Sequence, residues 1–169
     1  VVGGGSKPVQ KKQLNRAYQL QMPIGSSIKP LSIYGPAFDM GYSPGTPVLN
    51  MPVEIKGWNS ANGYPSNFSG DSFTGVESMR VALNKSHNTA AAHVLMDNVG
   101  IENSVTYLLK LGVDPDHILA TGAGLALGSS GISVIELATA YGAVANSGAY
   151  LESYAFTQVL NSDGTVYID

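Results

Sequence analysis

The chain has 169 residues, of which 44% are hydrophobic and 12% are charged, and its net charge is −3 at pH 7. Charged residues make up roughly 25% of an average domain, so this composition indicates a well-buried core, excludes disorder and gives no electrostatic basis for nucleic-acid binding. The absence of cysteine excludes disulfides, thiolate metal sites and a cysteine nucleophile, and no apolar run has the length of a membrane-spanning helix.

The N-terminal half predicts one helix between irregular segments. A strand at residues 1–2 should end at a glycine turn, and residues 6–24 are polar and irregular. A helix is expected over about 26–40, because Pro30 is tolerated only in a first turn. Residues 42–72 are dense in Pro, Gly, Asn and Ser. They predict a long ordered loop with short strands at most, and such loops are usually functional.

The C-terminal half predicts three helical regions and a hairpin. The helical regions cover residues 76–100 with a short break, 102–111 and 133–148. The apolar face of the first contains Val76, Met79 and Leu83. The third begins with a Ser133–Glu136 capping box, and its apolar stripe contains Val134, Leu137, Ala138, Tyr141, Val144 and Ala145. Segments 155–160 and 165–168, joined by an Asn-Ser-Asp-Gly turn, predict a β-hairpin.

Ser26 and Lys29 form the pattern S-x-x-K. They lie one helical turn apart, so the hydroxyl and the amine share a face and can exchange a proton. A serine becomes a good nucleophile when a neighbouring base takes its proton, and a desolvated lysine can be that base. In a first helical turn, the Ser26 N–H can serve an oxyanion hole and the helix dipole favours the neutral amine. Taken alone, the pattern also fits a serine cap followed by a solvated lysine.

A second pattern, S-x-N, occurs at Ser86-His87-Asn88, between two predicted helical pieces. In Ser/Lys acyl transfer a second hydroxyl relays protons, and an asparagine amide holds the lysine and a substrate carbonyl. Both polar residues fit equally well as helix caps. Residues 60–62 have the same spacing but lie in the predicted loop, without a helix to fix them.

The order and spacing of several blocks resemble the transpeptidase domain of penicillin-binding proteins, above all the bifunctional class A members. The matching stretches cover almost the whole chain and are residues 15–17, 25–30, 64–68, 80–88, 127–129, 135–142 and 145–148. The resemblance implies an α+β fold of the penicillin-binding and serine β-lactamase type, in which helices flank an antiparallel sheet.

The resemblance also implies roles for individual residues. Ser26 would be the acylated nucleophile, Lys29 its general base and Ser86 the proton relay. Asn88 would bind Lys29 and the peptide carbonyl of the substrate. In relatives of this family the proton taken up during acylation has been assigned either to the lysine or to a different group.

The same resemblance places Tyr64, Asn67 and Phe68 at the border of the donor-peptide groove. It implies D-Ala-D-Ala transpeptidation of peptidoglycan stem peptides, with β-lactams as inhibitors and without a cofactor or metal. The parent protein would act on the extracytoplasmic face of a bacterial membrane. Two alternatives are a D,D-carboxypeptidase or β-lactamase, in which water resolves the acyl-enzyme, and a non-catalytic β-lactam-binding scaffold.

One family element, the K-[ST]-G strand, is absent from the sequence. That strand supplies an oxyanion N–H and carboxylate-binding groups, and loss of one such donor costs on the order of 10²–10³ in rate. We therefore expect residues 1–169 to be the N-terminal portion of the domain, with the remaining C-terminal segment as a separate partner chain. The hairpin at 155–168 would otherwise leave an unpaired sheet edge.

Three rival interpretations are weaker. A Ser-His-Asp hydrolase would need His87, His93 or His117, but the sequence has no G-x-S-x-G elbow. His87 and His93 are six residues apart and would lie on different helix faces, which disfavours a zinc pair. Residues 122–124 lack the rest of a dinucleotide fingerprint and are interpreted as a loop before Gly128.

Overall fold

The computed structural model describes residues 13–55, 63–70 and 72–168. The strand expected at residues 1–2 and the S-x-N-like residues 60–62 lie outside this part of the chain. The α-helices are α1 (Gly35–Asp39), α2 (Met79–Lys85), α3 (Asn88–His93), α4 (Ile101–Lys110), α5 (Gly122–Leu127) and α6 (Val134–Ala145). The strands are β1 (Gln21–Pro23), β2 (Pro47–Asn50), β3 (Gly75–Ser78), β4 (Gly131–Ser133), β5 (Val159–Leu160) and β6 (Val166–Ile168).

The strands form antiparallel pairs, β1 with β4, β2 with β3, and β5 with β6. The α+β class is therefore confirmed, with the described strands paired in twos. The β1–β4 pair was not predicted, since residues 6–24 were expected to be irregular. All three residues of β1 are exposed, so no alternation of apolar residues marks the strand, and pairing with a segment far along the chain creates it.

The helix expected over about 26–40 is present but is not uniform. It begins as a 3₁₀-helix, Gly25–Ile28, continues as a π-helix, Pro30–Tyr34, and ends in α1. The other two irregular helices are Val94–Val99, of π type, and Pro115–His117, of 3₁₀ type. Such local changes of helix type often occur at functional positions.

Two helix predictions need correction. Val76 lies in β3 and is 67% exposed, and α2 begins only at Met79, because the Ser78 hydroxyl caps it by accepting from the Val81 N–H. Residues 122–127 form α5 where a loop was expected. The Thr121 hydroxyl caps α5 at its start, and Gly128 ends it in the left-handed region at φ 74°.

The Ser133–Glu136 capping box of α6 is confirmed, since each side chain bonds the backbone N–H of the other residue. The apolar stripe predicted on this helix is confirmed at Leu137, which packs against the core, and is wrong at both valines. The buried face carries Ala140 and Ala143, whereas Val134 and Val144 are more than half exposed, at 53% and 55%. Small side chains face the core here because they allow the close approach of neighbouring elements.

The hydrophobic core surrounds the helical stretch that begins at Gly25. Ile28, Ile33 and the alanines at 90–92 are fully buried, and α3 and α5 pack together beside this stretch. Residues 149–168 are exposed almost throughout. No helix in the described part of the chain is both long and apolar enough to cross a membrane.

Candidate active site

The 3₁₀-helix Gly25–Ile28, here named the Ser26 turn, places Ser26 and Lys29 on one side. A 3₁₀-helix has three residues per turn, so side chains at positions i and i+3 eclipse each other. Ser26 is exposed, whereas Lys29 is only 1% exposed. The turn therefore leaves Ser26 at the surface and buries Lys29 three residues later.

The amine of Lys29 is held by three acceptors from the S-x-N segment. Its Nζ donates to the Ser86 carbonyl at 2.8 Å, to Ser86 Oγ at 3.1 Å and to Asn88 Oδ1 at 2.6 Å. These bonds use the three N–H groups of an ammonium. Within the described residues, no carboxylate forms an ion pair with Lys29.

Burial lowers the pKa of Lys29 from its ordinary value near 10.5 to about 8. Desolvation has this direction because it penalises the charged form of the amine. With a pKa of about 8, about a tenth of the lysine is neutral at pH 7. The side chain can therefore accept a proton near neutral pH, as a general base must.

Ser86 adopts a backbone conformation that is uncommon outside glycine. It is the C-cap of α2 and lies in the left-handed region, at φ 55° and ψ 38°. This turn directs both the carbonyl and the hydroxyl of Ser86 at the Lys29 amine. The strain is a cost of the arrangement, since the left-handed region is unfavourable for residues with a Cβ atom.

Asn88 is fixed at both ends of its amide. Its Oδ1 accepts from Lys29, and its Nδ2 donates to the Ser66 carbonyl at 2.7 Å. The Asn88 backbone N–H also donates to Asn67 Oδ1 at 2.7 Å. The acceptor at Ser66 and the donor at Lys29 together define which way the amide points.

The three loop residues expected at the groove lie in different environments. Asn67 is 3% exposed, and its side chain forms hydrogen bonds with Asn50 and with the backbone N–H of Asn88. Tyr64 is half-buried, and its ring meets Phe73 edge-on at 6.0 Å between centroids. Phe68 is fully exposed next to Asn67. Contact of these residues with a substrate remains a prediction.

Two residues missed by sequence reasoning hold the Ser26 turn in place. A Cβ atom on Gly128 would come within 1.9 Å of the Gly25 carbonyl oxygen, and the Gly25 N–H donates to the Gly128 carbonyl at 3.1 Å. Tyr141 of α6 donates its hydroxyl to the Ser27 carbonyl at 2.7 Å. Neither contact has a local sequence signal, because more than a hundred residues separate the partners.

Each of the three histidines contacts a carboxylate. Nδ1 of His87, His93 and His117 lies 2.8 Å from a carboxylate oxygen of Glu77, Asp97 and Glu136, respectively. The described residues include no group of three or more His, Cys, Asp or Glu side chains that could hold a metal ion. The arrangement supports lysine-assisted serine chemistry and gives no geometric support to a Ser-His-Asp triad.

Comparison with known proteins assigns the family. A model of the penicillin-binding protein transpeptidase domain matches residues 3–166. This chain belongs to the penicillin-binding protein transpeptidase family. It is 32% identical to penicillin-binding protein 1A of Clostridium botulinum strain Hall over 177 aligned residues, and 34% identical to penicillin-binding protein 4 of Bacillus subtilis over 169. The predicted family resemblance is therefore confirmed.

The alignments cover nearly all of this chain but a small part of each relative. They include 100% of the chain and 21% of the C. botulinum protein, and 96% of the chain and 26% of the B. subtilis protein. Among solved structures, penicillin-binding protein 1A from Haemophilus influenzae superposes with a TM-score of 0.80 at 28% identity, over 94% of this chain and 23% of that one.

A further likeness concerns the fold alone. The PonA1 protein from Mycobacterium tuberculosis in complex with penicillin V has a TM-score of 0.76 at 24% identity, over 94% of this chain and 43% of that one. The transpeptidase fold predicted from the sequence is thus confirmed, and within it Lys29 of the S-x-x-K pattern contacts Ser86 and Asn88 of the S-x-N pattern.

Proposed function

We propose that this chain carries the nucleophile, base and proton relay of a serine acyltransferase that cross-links peptidoglycan stem peptides ending in D-Ala-D-Ala. One observation carries the proposal. The buried Lys29 amine follows the exposed Ser26 by one helical turn, has a pKa lowered to about 8, and donates to both Ser86 Oγ and Asn88 Oδ1. The family match and the names of the relatives support it.

In the proposed reaction, Ser26 Oγ attacks the penultimate D-alanyl carbonyl while neutral Lys29 takes the hydroxyl proton. The Ser26 N–H donates to the oxygen that becomes negative in the tetrahedral intermediate. The carbonyl carbon–nitrogen bond then breaks, and the proton passes from Lys29 through the Ser86 hydroxyl to the departing D-alanine amine. The product of this half-reaction is an ester on Ser26.

The ester is resolved by the amine of a neighbouring stem peptide. This amine attacks the acyl carbon, its proton returns through Ser86 and Lys29, and the Ser26 hydroxyl is restored as the new amide forms. A β-lactam undergoes only the first half. Attack by Ser26 breaks the amide bond of the ring, but the leaving nitrogen stays tethered to the acyl group and blocks the acceptor. We therefore propose β-lactams as inhibitors of this site.

We further propose that a K-[ST]-G strand from the rest of the domain binds the terminal carboxylate of the substrate. The chain has no such motif and covers about a fifth of the C. botulinum relative. Exposed apolar residues near its C-terminal end, including Tyr154, Leu160 and Tyr167, fit a surface that this segment covers. By the same family argument, the site faces the extracytoplasmic side of a bacterial membrane.

The test is acylation of the full-length protein that contains this chain. A fluorescent penicillin should add one acyl group, located by peptide mapping on Ser26 and lost in Ser26→Ala. Ser27→Ala is a matched control, because the Ser27 hydroxyl only donates to the Ile24 carbonyl. Repeating the labelling with the 169-residue chain alone should give no adduct if the missing strand is required.

Turnover distinguishes the chemical outcomes. A donor peptide ending in D-Ala-D-Ala, supplied with an acceptor amine, should give free D-alanine and a cross-linked product. Release of D-alanine with a hydrolysed donor only would assign a carboxypeptidase instead. Failure to label Ser26 in the full-length protein would reject the acyltransferase and leave the non-catalytic scaffold.

A further inference from the structure

A group of hydrogen-bonded polar side chains lies behind the S-x-N segment. We name this group the Asn50 network, and its members are Asn50, Asn67, Thr74, Glu77, His87 and Thr89. Asn50 is completely buried and Glu77 is 8% exposed. Burial of an amide and a carboxyl group is unfavourable unless their hydrogen bonds are made, so the contacts within the group determine what it does.

Asn50 is the centre of the network. Its Oδ1 accepts from Asn67 Nδ2 at 2.9 Å and from the Thr89 hydroxyl at 2.5 Å. Its Nδ2 donates to the Thr74 hydroxyl at 2.9 Å and lies 3.4 Å from Glu77 Oε2. Because one end of the amide only accepts and the other only donates, these neighbours fix its orientation.

Glu77 connects Asn50 to His87. Its Oε2 accepts from the Thr74 hydroxyl at 2.8 Å, and its Oε1 lies 2.8 Å from His87 Nδ1. His87 Nδ1 is also 3.0 Å from Asn50 Nδ2, but that nitrogen is a donor. The carboxylate therefore favours the imidazole form with a proton on Nδ1, which then donates to Glu77.

The network holds the S-x-N segment at two points. His87 is the middle residue of the segment and is held through its ring by Glu77. Asn67, held by Asn50, accepts from the backbone N–H of Asn88. The residues on either side of His87 supply all three acceptors of Lys29. Movement of the segment would therefore displace the relay hydroxyl and the Asn88 amide together.

We propose that Asn50 and Glu77 are positioning residues for acyl transfer, which hold Ser86 and Asn88 against Lys29 through His87 and Asn67. This inference rests on the proposed function. Neither residue touches the Lys29 amine, and each acts through a neighbour. The expected defect is a slower chemical step, with little change in non-covalent binding, because the acceptors of Lys29 belong to the proton-transfer apparatus.

A donor–acceptor exchange tests this proposal in the full-length protein. Asn50→Asp replaces the amide nitrogen near Glu77 Oε2 with a carboxylate oxygen, which removes a donor and opposes two negative charges. Glu77→Gln removes the charge and supplies a donor. The acylation rate constant at saturating fluorescent penicillin should fall about tenfold in Asn50→Asp and about threefold in Glu77→Gln. The double variant should recover to within about threefold of the wild type.

Ser104→Ala is the matched control for a buried polar substitution. Ser104 lies in α4, is fully buried, and its hydroxyl has no hydrogen-bond partner among the described residues. Its acylation rate should not change. Rates are expressed per active molecule from the final amplitude of labelling, because a purely structural role would lower that amplitude and leave the rate constant unchanged.

A second pair of variants covers the case in which Asn50→Asp does not fold. His87→Ala removes the contact with Glu77, whereas His87→Asn keeps a donor near the position of Nδ1. Acylation should slow in the first and be restored in the second. Two results would overturn the positioning role while the wild type is still labelled. One is an unchanged acylation rate in these variants, and the other is a double variant whose acylation rate does not recover. An unlabelled wild type would instead reject the proposed function and this inference with it.

Discussion

The amine of Lys29 determines how acylation should depend on pH. Its pKa is lowered to about 8 by burial, and only the neutral form can accept the Ser26 proton. Acylation by penicillin should therefore rise about tenfold per pH unit below pH 8 and level off above it. Stopped-flow labelling between pH 6 and 9.5 measures this profile. A rate that is flat or falls over this range would contradict the assignment of Lys29 as the base.

The same group should couple folding stability to pH. An unfolded Lys29 keeps the ordinary pKa of 10.5, so between pH 8 and 10.5 the unfolded state binds more protons than the folded state. The free energy of unfolding should rise with pH between about 8 and 9. Nearer pH 10 the buried Tyr34 opposes this rise, because its pKa is raised above the ordinary 10.0 and the folded state keeps a proton that the unfolded state loses. Lys29→Met removes the titrating group and should remove the slope, which denaturant unfolding at several pH values measures. An equal slope in both proteins would indicate that other groups cause it.

Two substitutions of Ser86 distinguish the role of its hydroxyl from the cost of its left-handed backbone conformation. Ser86→Ala and Ser86→Gly both remove Oγ, the acceptor 3.1 Å from Lys29 Nζ, so both should slow acylation by about 10²-fold. Glycine relieves the strain of φ 55°, so Ser86→Gly should be more stable than Ser86→Ala by about 1 kcal/mol. Thermal unfolding and labelling rates test the two effects independently. Equal stability of the variants would show that the turn is unstrained.

At the scale of elements, Gly128 connects the end of α5 to the Ser26 turn. A methyl group there would meet the Gly25 carbonyl oxygen at 1.9 Å, and the backbone is at φ 74°. Gly128→Ala should therefore destabilise the protein by about 3 kcal/mol and displace Ser26, so that acylation falls with stability. The Tm and the labelling rate are the measurements.

Gly142 provides the matched control. It lies within α6, and a methyl group there has nothing within 4 Å. Gly142→Ala should stabilise the protein by about 0.5–1 kcal/mol, because alanine has the higher helix propensity, and should leave acylation unchanged. If both alanine substitutions had the same effect, close packing against Gly25 would not be the reason that position 128 is glycine.

Features with a local cause were predictable from the sequence. The relation of Ser26 to Lys29 depends on three residues of helix, and the capping box of α6 depends on four, so short-range spacing was enough. The strand β1, the helix α5 and the buried face of α6 were missed. β1 forms by pairing with β4. The start of α5 contains two glycines, which are typical of loops. The buried face of α6 carries alanines where larger residues were expected. For β1 and α6, long-range packing overrides the local pattern.

The residues of the candidate site also differ in whether the sequence predicts them. Ser26, Lys29, Ser86 and Asn88 carry recognisable patterns, and the structure brings Lys29 together with the last two. Asn50 and Glu77 belong to no sequence pattern, because the role of a buried asparagine or glutamate depends on its hydrogen-bond partners in the folded chain. Those partners come from four separate segments of the chain. Only the folded arrangement reveals that they meet behind the S-x-N segment.

At the scale of the whole molecule, the C-terminal hairpin has too little support of its own. β5 and β6 have two and three residues, and almost all the side chains from 149 to 168 are exposed. An isolated two-stranded hairpin is marginal in water, and stability generally requires a third strand or a packed face. The apolar side chains of Leu160, Val166 and Tyr167 are more than half exposed. We therefore expect further strands of the domain to cover this hairpin.

Hydrogen exchange measures whether further strands cover the β5–β6 hairpin. In the full-length protein, the amides of β5 and β6 should exchange at least about a hundredfold more slowly than in the 169-residue chain alone, because protection follows the free energy of local opening. The amides of α3, whose residues 89–92 are fully buried, serve as the internal control and should be protected in both samples. Equal exchange of the hairpin in both would mean that no other segment covers it. The proposed K-[ST]-G strand would then have to reach Ser26 without pairing to this edge.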